Sequence, residues 1–393
     1  MIHLQDGYFP NYQGGSIVNL MSSIGRAWGA EFFYPVLKEL PPDELYHSRN
    51  IVMIVIDGLG YEYLKKQGHQ TVLWKNLRGK MTSVFPSTTA ACVTTFATGL
   101  APQQHAVTGW YMLLKELGIV AKILPFVPRN GGEPFSKHNV KAELIFKLAT
   151  FSQAIKGQAY AVMPQDIVNS DYTKFFSRGA KKVSYSEESL PSFFRTLKSV
   201  IYANNHRKFI YAYWSEYDSL CHDHGTTASV VKRHFQDILL KFSTFVEHLH
   251  GTNSTIIVTA DHGFIDTGPD RRILLKDHPQ LMRTLSLPFC GEPRATYCYV
   301  HPARAADFER YVTERLSNYC QFFKSEELIQ NNIFGLGEPN EALFDRVGDY
   351  VLVMKENYVI KDFLPGEEVK FHIGVHGGVS KEEMFVPLVV LKY

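Results

Sequence analysis

The stretch IVMIVIDGLG (51–60) decides the fold. It opens with six apolar residues, five of them β-branched. Such a run suits a strand buried on both faces, as in a parallel sheet. Asp57-Gly58 ends it. Working outward, KFIYAYW (208–214), STIIVT (254–259) and FVPLVVL (385–391) read the same way, with a shorter strand expected at 80–85. Helices are expected between them: 61–67 closed by Gly68, 89–98 ending at Gly99, and a long one over 228–250. In that last segment Val230, Val231, Phe235, Ile238, Leu239, Phe242, Phe245 and Leu249 keep the 3.6-residue period of a half-buried helix. Strands alternating with helices predict an α/β fold: a mostly parallel central sheet with helices on both faces. Residues 266–370 are richer in Pro, Gly and charge and are expected to form an inserted subregion within a single domain spanning 1–393.

Composition narrows the function. Lys and Arg number 41 and Asp and Glu 39, a net charge of +2. That balance gives no electrostatic case for an obligate nucleic-acid or anionic-membrane partner. The longest clear apolar run is six residues, far short of the roughly 20 that span a bilayer, so no transmembrane segment is expected. The N-terminus MIHLQDGYFPNYQGG lacks a basic region followed by an apolar one, so no secretory leader is expected. Five cysteines without a CxxC spacing suit free thiols and a cytoplasmic location.

Three strong strands each run into an acid: Asp57 after 51–56, Asp218 shortly after 208–214, and Asp261 after 254–259. In open α/β sheets ligands bind beyond the carboxyl ends of the strands. Each of these acids taken singly could be a cap or turn residue. Three carboxylates gathered there repel one another unless a cation lies between them. His222 follows Asp218 by one helical turn and His262 follows Asp261 directly. Mixed Asp and His donors suit Zn²⁺ better than Mg²⁺ or Ca²⁺. Asp223 and His224 are read as surface residues. Ser87, Thr88 and Thr89 follow Pro86 at a helix start. They can cap it, or present a hydroxyl where backbone amides favour a phosphate. Beside a metal such a hydroxyl becomes a nucleophile.

These residues resemble the alkaline phosphatase superfamily, in its nucleotide pyrophosphatase/phosphodiesterase branch. The resemblance rests on VIDGLG (55–60), FPSTTAACVTTFATGLAPQQH (85–105), EYDSLCHDHG (216–225), ADHGF (260–264) and HGGVSKEEMFVPL (376–388), in that order over most of the chain. It implies an alkaline-phosphatase-like fold and a metal-dependent hydrolase of small-molecule phosphate diesters. It also implies Thr89 as the nucleophile and two divalent ions, Zn²⁺ by donor type with Mn²⁺ as the alternative. Asp218, His222 and His376 would hold one ion; Asp57, Asp261 and His262 would hold the other, with the Thr89 oxygen beside it. His376 is preferred to His372 because it opens the HGG block.

Nucleotide-hydrolysing members carry an aromatic residue just after the nucleophile, where this chain has Ala90. Candidates for substrate contact are Cys92, Phe264 and Arg294, with Trp110, Tyr111, Trp214 and Tyr217 as further aromatic residues near the motifs. Three rival readings remain. One is a phosphomonoesterase or phosphonate hydrolase on the same scaffold. A second is a non-catalytic binding member, against which every ligand position is retained. The third is a dinucleotide-binding protein, against which no GxGxxG follows the first strand.

Overall fold

The apolar run at 51–56 lies in the middle strand of a seven-stranded sheet in the computed structural model, which describes residues 7–393 apart from 187. The N-terminal reading for a leader begins at residues 1–6, outside the described residues. In chain order the strands are β1 (Asn50–Ile56), β2 (Leu77–Thr82), β3 (Gln158–Pro164), β4 (Ala180–Tyr185), β5 (Lys208–Trp214), β6 (Ser254–Thr259) and β7 (Phe385–Lys392). Their order across the sheet is β2-β7-β6-β1-β5-β3-β4. All pairs from β6 through β4 are parallel, whereas β7 runs antiparallel to both its neighbours. Every residue of β1 is buried, as a strand covered on both faces requires.

Register places the chemistry. Val55 lies opposite Tyr213 of β5 and Thr259 of β6. The chain therefore leaves β1, β5 and β6 at the same edge, and Asp57, Asp218 and Asp261 emerge side by side. The main helices are α1 (Ile17–Ala27), α2 (Thr89–Thr98), α3 (Leu190–Tyr202), α4 (Glu216–His224) and α5 (Ser229–Glu247). Along α5, Val231, Phe235, Ile238, Leu239, Phe242 and Phe245 are buried, the stripe expected from its periodicity. Helix α2 packs on α1, and α5 packs on α3 and α4.

A second, antiparallel sheet orders its strands as Cys320–Lys324, Tyr350–Met354, Ala295–Cys298, Cys290–Gly291, Tyr111–Leu114, Ile119–Lys122 and Val127–Pro128. Four of these strands come from 266–370. The other three come from 111–128, and Gly291 pairs with Tyr111 to join the two groups. The segment expected as an insertion thus completes its sheet with an earlier three-stranded meander. The strand expected at 80–85 lies at Leu77–Thr82, because Ser83 to Ser87 form the approach to α2. Among the described residues no helix is long and apolar enough to cross a membrane.

Candidate active site

Asp57 follows β1 directly, and its backbone N–H bonds to the Trp214 carbonyl at 2.9 Å, which fixes it against the end of β5. The next residue, Gly58, has φ +75°, and a Cβ there would lie 2.3 Å from the Phe264 ring. Glycine is what lets the chain turn away while Asp57 points at the site. Asp57 is 2% exposed and accepts a hydrogen bond from the Tyr213 hydroxyl on Oδ2. Asp261 Oδ1 accepts from the amides of Gly58 and His262, both at 3.0 Å. His262 Nε2 then lies 3.4 Å from Asp57 Oδ1 and 3.5 Å from Asp261 Oδ2.

The other group gathers on α4. Asp218 and His222 are one turn apart, with His222 Nε2 3.5 Å from Asp218 Oδ2. His222 donates Nδ1–H to the Gly374 carbonyl at 2.8 Å, which leaves Nε2 with its lone pair. That Nε2 faces His376 Nε2 at 3.2 Å. The donor atoms of Asp218, His222 and His376 lie within 4.8 Å of one another, as do those of Asp57, Asp261 and His262. His372 lines a neighbouring cavity, its ring 4.3 Å from that of His222.

The donors fit divalent ions. Asp57 Oδ1, Asp218 Oδ1, Asp261 Oδ2 and His376 Nδ1 are buried without a hydrogen-bond partner. A carboxylate oxygen in that condition is costly unless a cation compensates it. Burial, then the charges of Asp261 and Asp218, push the Asp57 carboxyl well above its ordinary range. Burial, then His262 and His222, push the His376 imidazole well below its own. Cations at the two groups reverse the penalty on the carboxylates and keep the imidazoles neutral.

Thr89 is the first residue of α2, and its Oγ1 lies 3.1 Å from His262 Nε2. The residues that could cap α2 do not. Thr88 donates its hydroxyl to Glu292 Oε1 at 2.7 Å, and Ser87 donates its own to the Gly378 carbonyl at 2.7 Å. The N-terminal amides of α2 thus have no side-chain cap beside the Thr89 hydroxyl, an arrangement that receives an oxyanion.

Two of the residues expected at the substrate are elsewhere, and these expectations are corrected. Cys92 is fully buried, one turn along α2, with its sulfur 3.0 Å from Ser83 Oγ and turned into the core. Arg294 is 1% exposed and bound to Glu383 by two hydrogen bonds, Nε to Oε1 at 3.0 Å and Nη2 to Oε2 at 2.8 Å. Glu383 Oε1 also accepts from the Gly378 amide at 2.8 Å. Arg294 therefore braces the turn that carries His376. Phe264 packs its ring edgewise against His222, His262 and His376, at centroid distances of 5.0, 5.6 and 5.3 Å. Trp110 and Tyr111 line two different cavities, whereas Trp214 and Tyr217 are core residues.

Three residues were missed. Tyr213 carries its hydroxyl at the end of β5, and its place two residues before the loop to Asp218 was a usable signal. Glu383 closes a Ser-x-x-Glu capping box with Ser380, a usable signal for a helix start though not for its pairing with Arg294, whereas Glu292 is an isolated acid in a loop that nothing local marked. Glu292 is buried, accepts from Thr88 and from the Trp110 amide, and its carboxyl is pushed up by burial to about 7.

The family model for type I phosphodiesterase/nucleotide pyrophosphatase matches residues 51–378. No curated protein sequence matches the chain. Among solved structures, murine ectonucleotide pyrophosphatase/phosphodiesterase 5 aligns with a TM-score of 0.64 at 18% identity, covering 86% of this chain and 87% of that one. The human counterpart aligns at 0.63 and 13%, with the same coverage. Phosphonoacetate hydrolase from Sinorhizobium meliloti 1021, solved with phosphonoformate, aligns at 0.63 and 18%, covering 88% and 90%. At these identities the structural likeness speaks to the fold.

Proposed function

The chain belongs to the type I phosphodiesterase/nucleotide pyrophosphatase family, and from that premise we propose that it hydrolyses phosphate diesters through a covalent phospho-threonine at Thr89. Membership makes it a metal-dependent phosphoric ester hydrolase acting on a small-molecule ester. The observation that carries the finer reading is the Thr89 hydroxyl, at the uncapped start of α2 and 3.1 Å from His262, beside two convergent sets of Asp and His donors. A threonine-to-alanine variant of murine ectonucleotide pyrophosphatase/phosphodiesterase 5, described as inactive and solved with AMP, supports a threonine role in that relative.

Asp57, Asp261 and His262 would hold one divalent ion and Asp218, His222 and His376 the other, with zinc favoured by the donors. Bound there, the ions supply Lewis acidity, easing ionisation of the Thr89 hydroxyl and neutralising the phosphoryl oxygens. Thr89 Oγ attacks phosphorus, its proton passing to solvent. The oxygen–phosphorus bond to the leaving alcohol breaks, and that alcohol takes a proton from water. The amides at the start of α2 receive a phosphoryl oxygen throughout. A water then attacks the phospho-threonine, Thr89 leaves and regains its proton, and the monoester is released.

A diester is favoured over a monoester for two reasons. Arg294 is committed to Glu383, so it cannot grip a dianionic phosphate. A cavity adjoining Thr89 has room for a second ester group. Five free, buried cysteines support the cytoplasmic reading. The test compares kcat/KM of the zinc-loaded enzyme for bis-p-nitrophenyl phosphate and p-nitrophenyl phosphate. A diester preference of more than about tenfold, 1.4 kcal/mol at the transition state, is expected. A monoester preference would overturn the diesterase reading. Thr89→Ala should lose turnover while retaining bound metal, and full activity in that variant would remove Thr89 from the mechanism.

A further inference from the structure

The residue before the nucleophile has the backbone of a helix cap and does not act as one. Thr88 lies at φ −137° and ψ 149°, in the extended region that N-cap residues adopt, yet its side chain bonds no helix amide. A threonine in that place ordinarily accepts from the second or third amide of the helix. Here the amides of Thr89, Ala90 and Ala91 meet no acceptor among the described residues. Buried amides are rarely left so, and a turn of the Thr88 side chain would supply one of them.

Glu292 holds that side chain away. Its Oε1 accepts from Thr88 Oγ1 and from the Trp110 amide, both at 2.7 Å. The acid is itself fixed. Its backbone N–H donates to the Ala295 carbonyl at 3.0 Å, and its carbonyl accepts from the Ala295 amide at 3.2 Å and the Thr296 hydroxyl at 2.7 Å. Its stem crosses Gly377, where a Cβ would lie 2.7 Å from the Glu292 Cβ and 2.9 Å from its Cγ. Glycine after His376 is thus what lets the acid reach Thr88. An ionised acid so close to a phosphate site would repel its ligand, but burial pushes this carboxyl up to about 7, so below neutrality it is mostly uncharged.

We propose that Glu292 is a positioning residue for phosphoryl transfer: by holding the Thr88 hydroxyl it keeps the start of α2 uncapped, so that the amides beside Thr89 are free to receive a phosphoryl oxygen. The proposal rests on the phospho-threonine reading above, in which those amides bind the phosphoryl group. Without Glu292 the Thr88 hydroxyl turns onto the amides, and a phosphate must displace it. A threonine cap of ordinary strength makes that displacement a loss of about twofold to thirtyfold.

The test is a double-mutant cycle on the zinc-loaded enzyme. Glu292→Met keeps the stem against Gly377 and removes the acceptor, and it should lower kcat/KM for bis-p-nitrophenyl phosphate about tenfold. Thr88→Val keeps the shape of threonine without the hydroxyl. Added to Thr88→Val, Glu292→Met should cost less than about twofold, because nothing remains to cap the helix. Glu292→Gln, whose carbonyl can accept both hydrogen bonds, should restore the rate that Glu292→Met loses. Equal losses with and without the Thr88 hydroxyl would overturn the proposal, as would full activity in Glu292→Met. If the methionine variant does not fold, Glu292→Asp, which withdraws the acceptor by one methylene, takes its place in the cycle. Calorimetric titration of inorganic phosphate into the same zinc-loaded proteins reads the amides without turnover. If no ester is hydrolysed, the diesterase reading fails and this titration decides. Phosphate binding weakened by Glu292→Met and recovered on adding Thr88→Val would uphold the role of Glu292, and equal binding throughout the cycle would end it.

Discussion

The imidazoles of His262 and His376 are stacked, with centroids 3.8 Å apart and planes 17° from parallel. One belongs to each donor group, so the groups share a wall. Burial holds His376 toward its neutral form, with His262 and His222 adding to the effect. Neutral imidazole is the form that binds a metal. Phe264 supports both rings from the edge.

Removing the metal should therefore cost stability as well as activity. The unpartnered oxygens of Asp57, Asp218 and Asp261 would face one another uncompensated. A ligand at a thousandfold its Kd stabilises the folded state by about 4 kcal/mol. Dialysis against a chelator should abolish hydrolysis and lower Tm by several degrees, and added Zn²⁺ should restore both. A calorimetric scan that is identical with and without chelator would argue against bound ions in the native protein.

Tyr213→Phe removes the hydrogen bond that the Tyr213 hydroxyl donates to Asp57 Oδ2. Tyr213 acts as a positioning residue, since its hydroxyl orients the carboxylate from behind. Groups that orient a metal ligand in this way are typically worth about 10- to 100-fold in affinity. Zinc titration of the variant should show that weakening at the group containing Asp57, with Tm nearly unchanged in excess zinc.

The strands carrying the three acids were legible because a parallel strand buried on both faces leaves a continuous apolar run, as at 51–56 and 254–259. The acids were legible because β1, β5 and β6 are neighbours, so three strand ends distant in sequence meet at one edge. The antiparallel sheet was less so. Its strands at Tyr111–Leu114 and Ile119–Lys122 are four residues each, too short for alternation to stand out, and their partners lie far along the chain. Side-chain direction was not legible at all. Cys92 lies inside a motif and Arg294 well outside one, and neither position foretold its direction: Cys92 turns inward toward Ser83 and Arg294 toward Glu383.

The Arg294–Glu383 pair gives a stability prediction. Both side chains are buried, and removing one partner of such a pair typically costs about 3–5 kcal/mol. Arg294→Met should show a loss of that order in denaturant unfolding, together with weaker metal binding through the His376 turn. Burial alone would raise the Glu383 carboxyl, but the Arg294 charge and hydrogen bonds outweigh it and hold the group below its ordinary value. The pair's contribution is therefore full above the unfolded value and is lost as the pH falls through the folded one. Arg294→Met should flatten that acid limb.

Glu292 has the opposite sign. Burial raises its carboxyl to about 7, against the pull of the Thr88 and Trp110 hydrogen bonds, whereas the unfolded chain titrates near 4.5. Between those values the folded state holds a proton that the unfolded state has released. Stability contributed by this group is thus intact below about 4.5, falls as the pH rises toward 7, and is level above it. The shift corresponds to roughly 3 kcal/mol. Both hydrogen bonds fall on one oxygen, Oε1, which a glutamine carbonyl reproduces. Glu292→Gln should therefore fold normally and lack the slope. Subtracting the unfolding free energy of wild type from that of the variant between pH 5 and 8 isolates it from the titration of the metal ligands. The difference should grow in the variant's favour up to neutrality and then hold constant. A difference that does not change with pH would place the Glu292 carboxyl at its ordinary value, ionised in the folded protein at neutral pH.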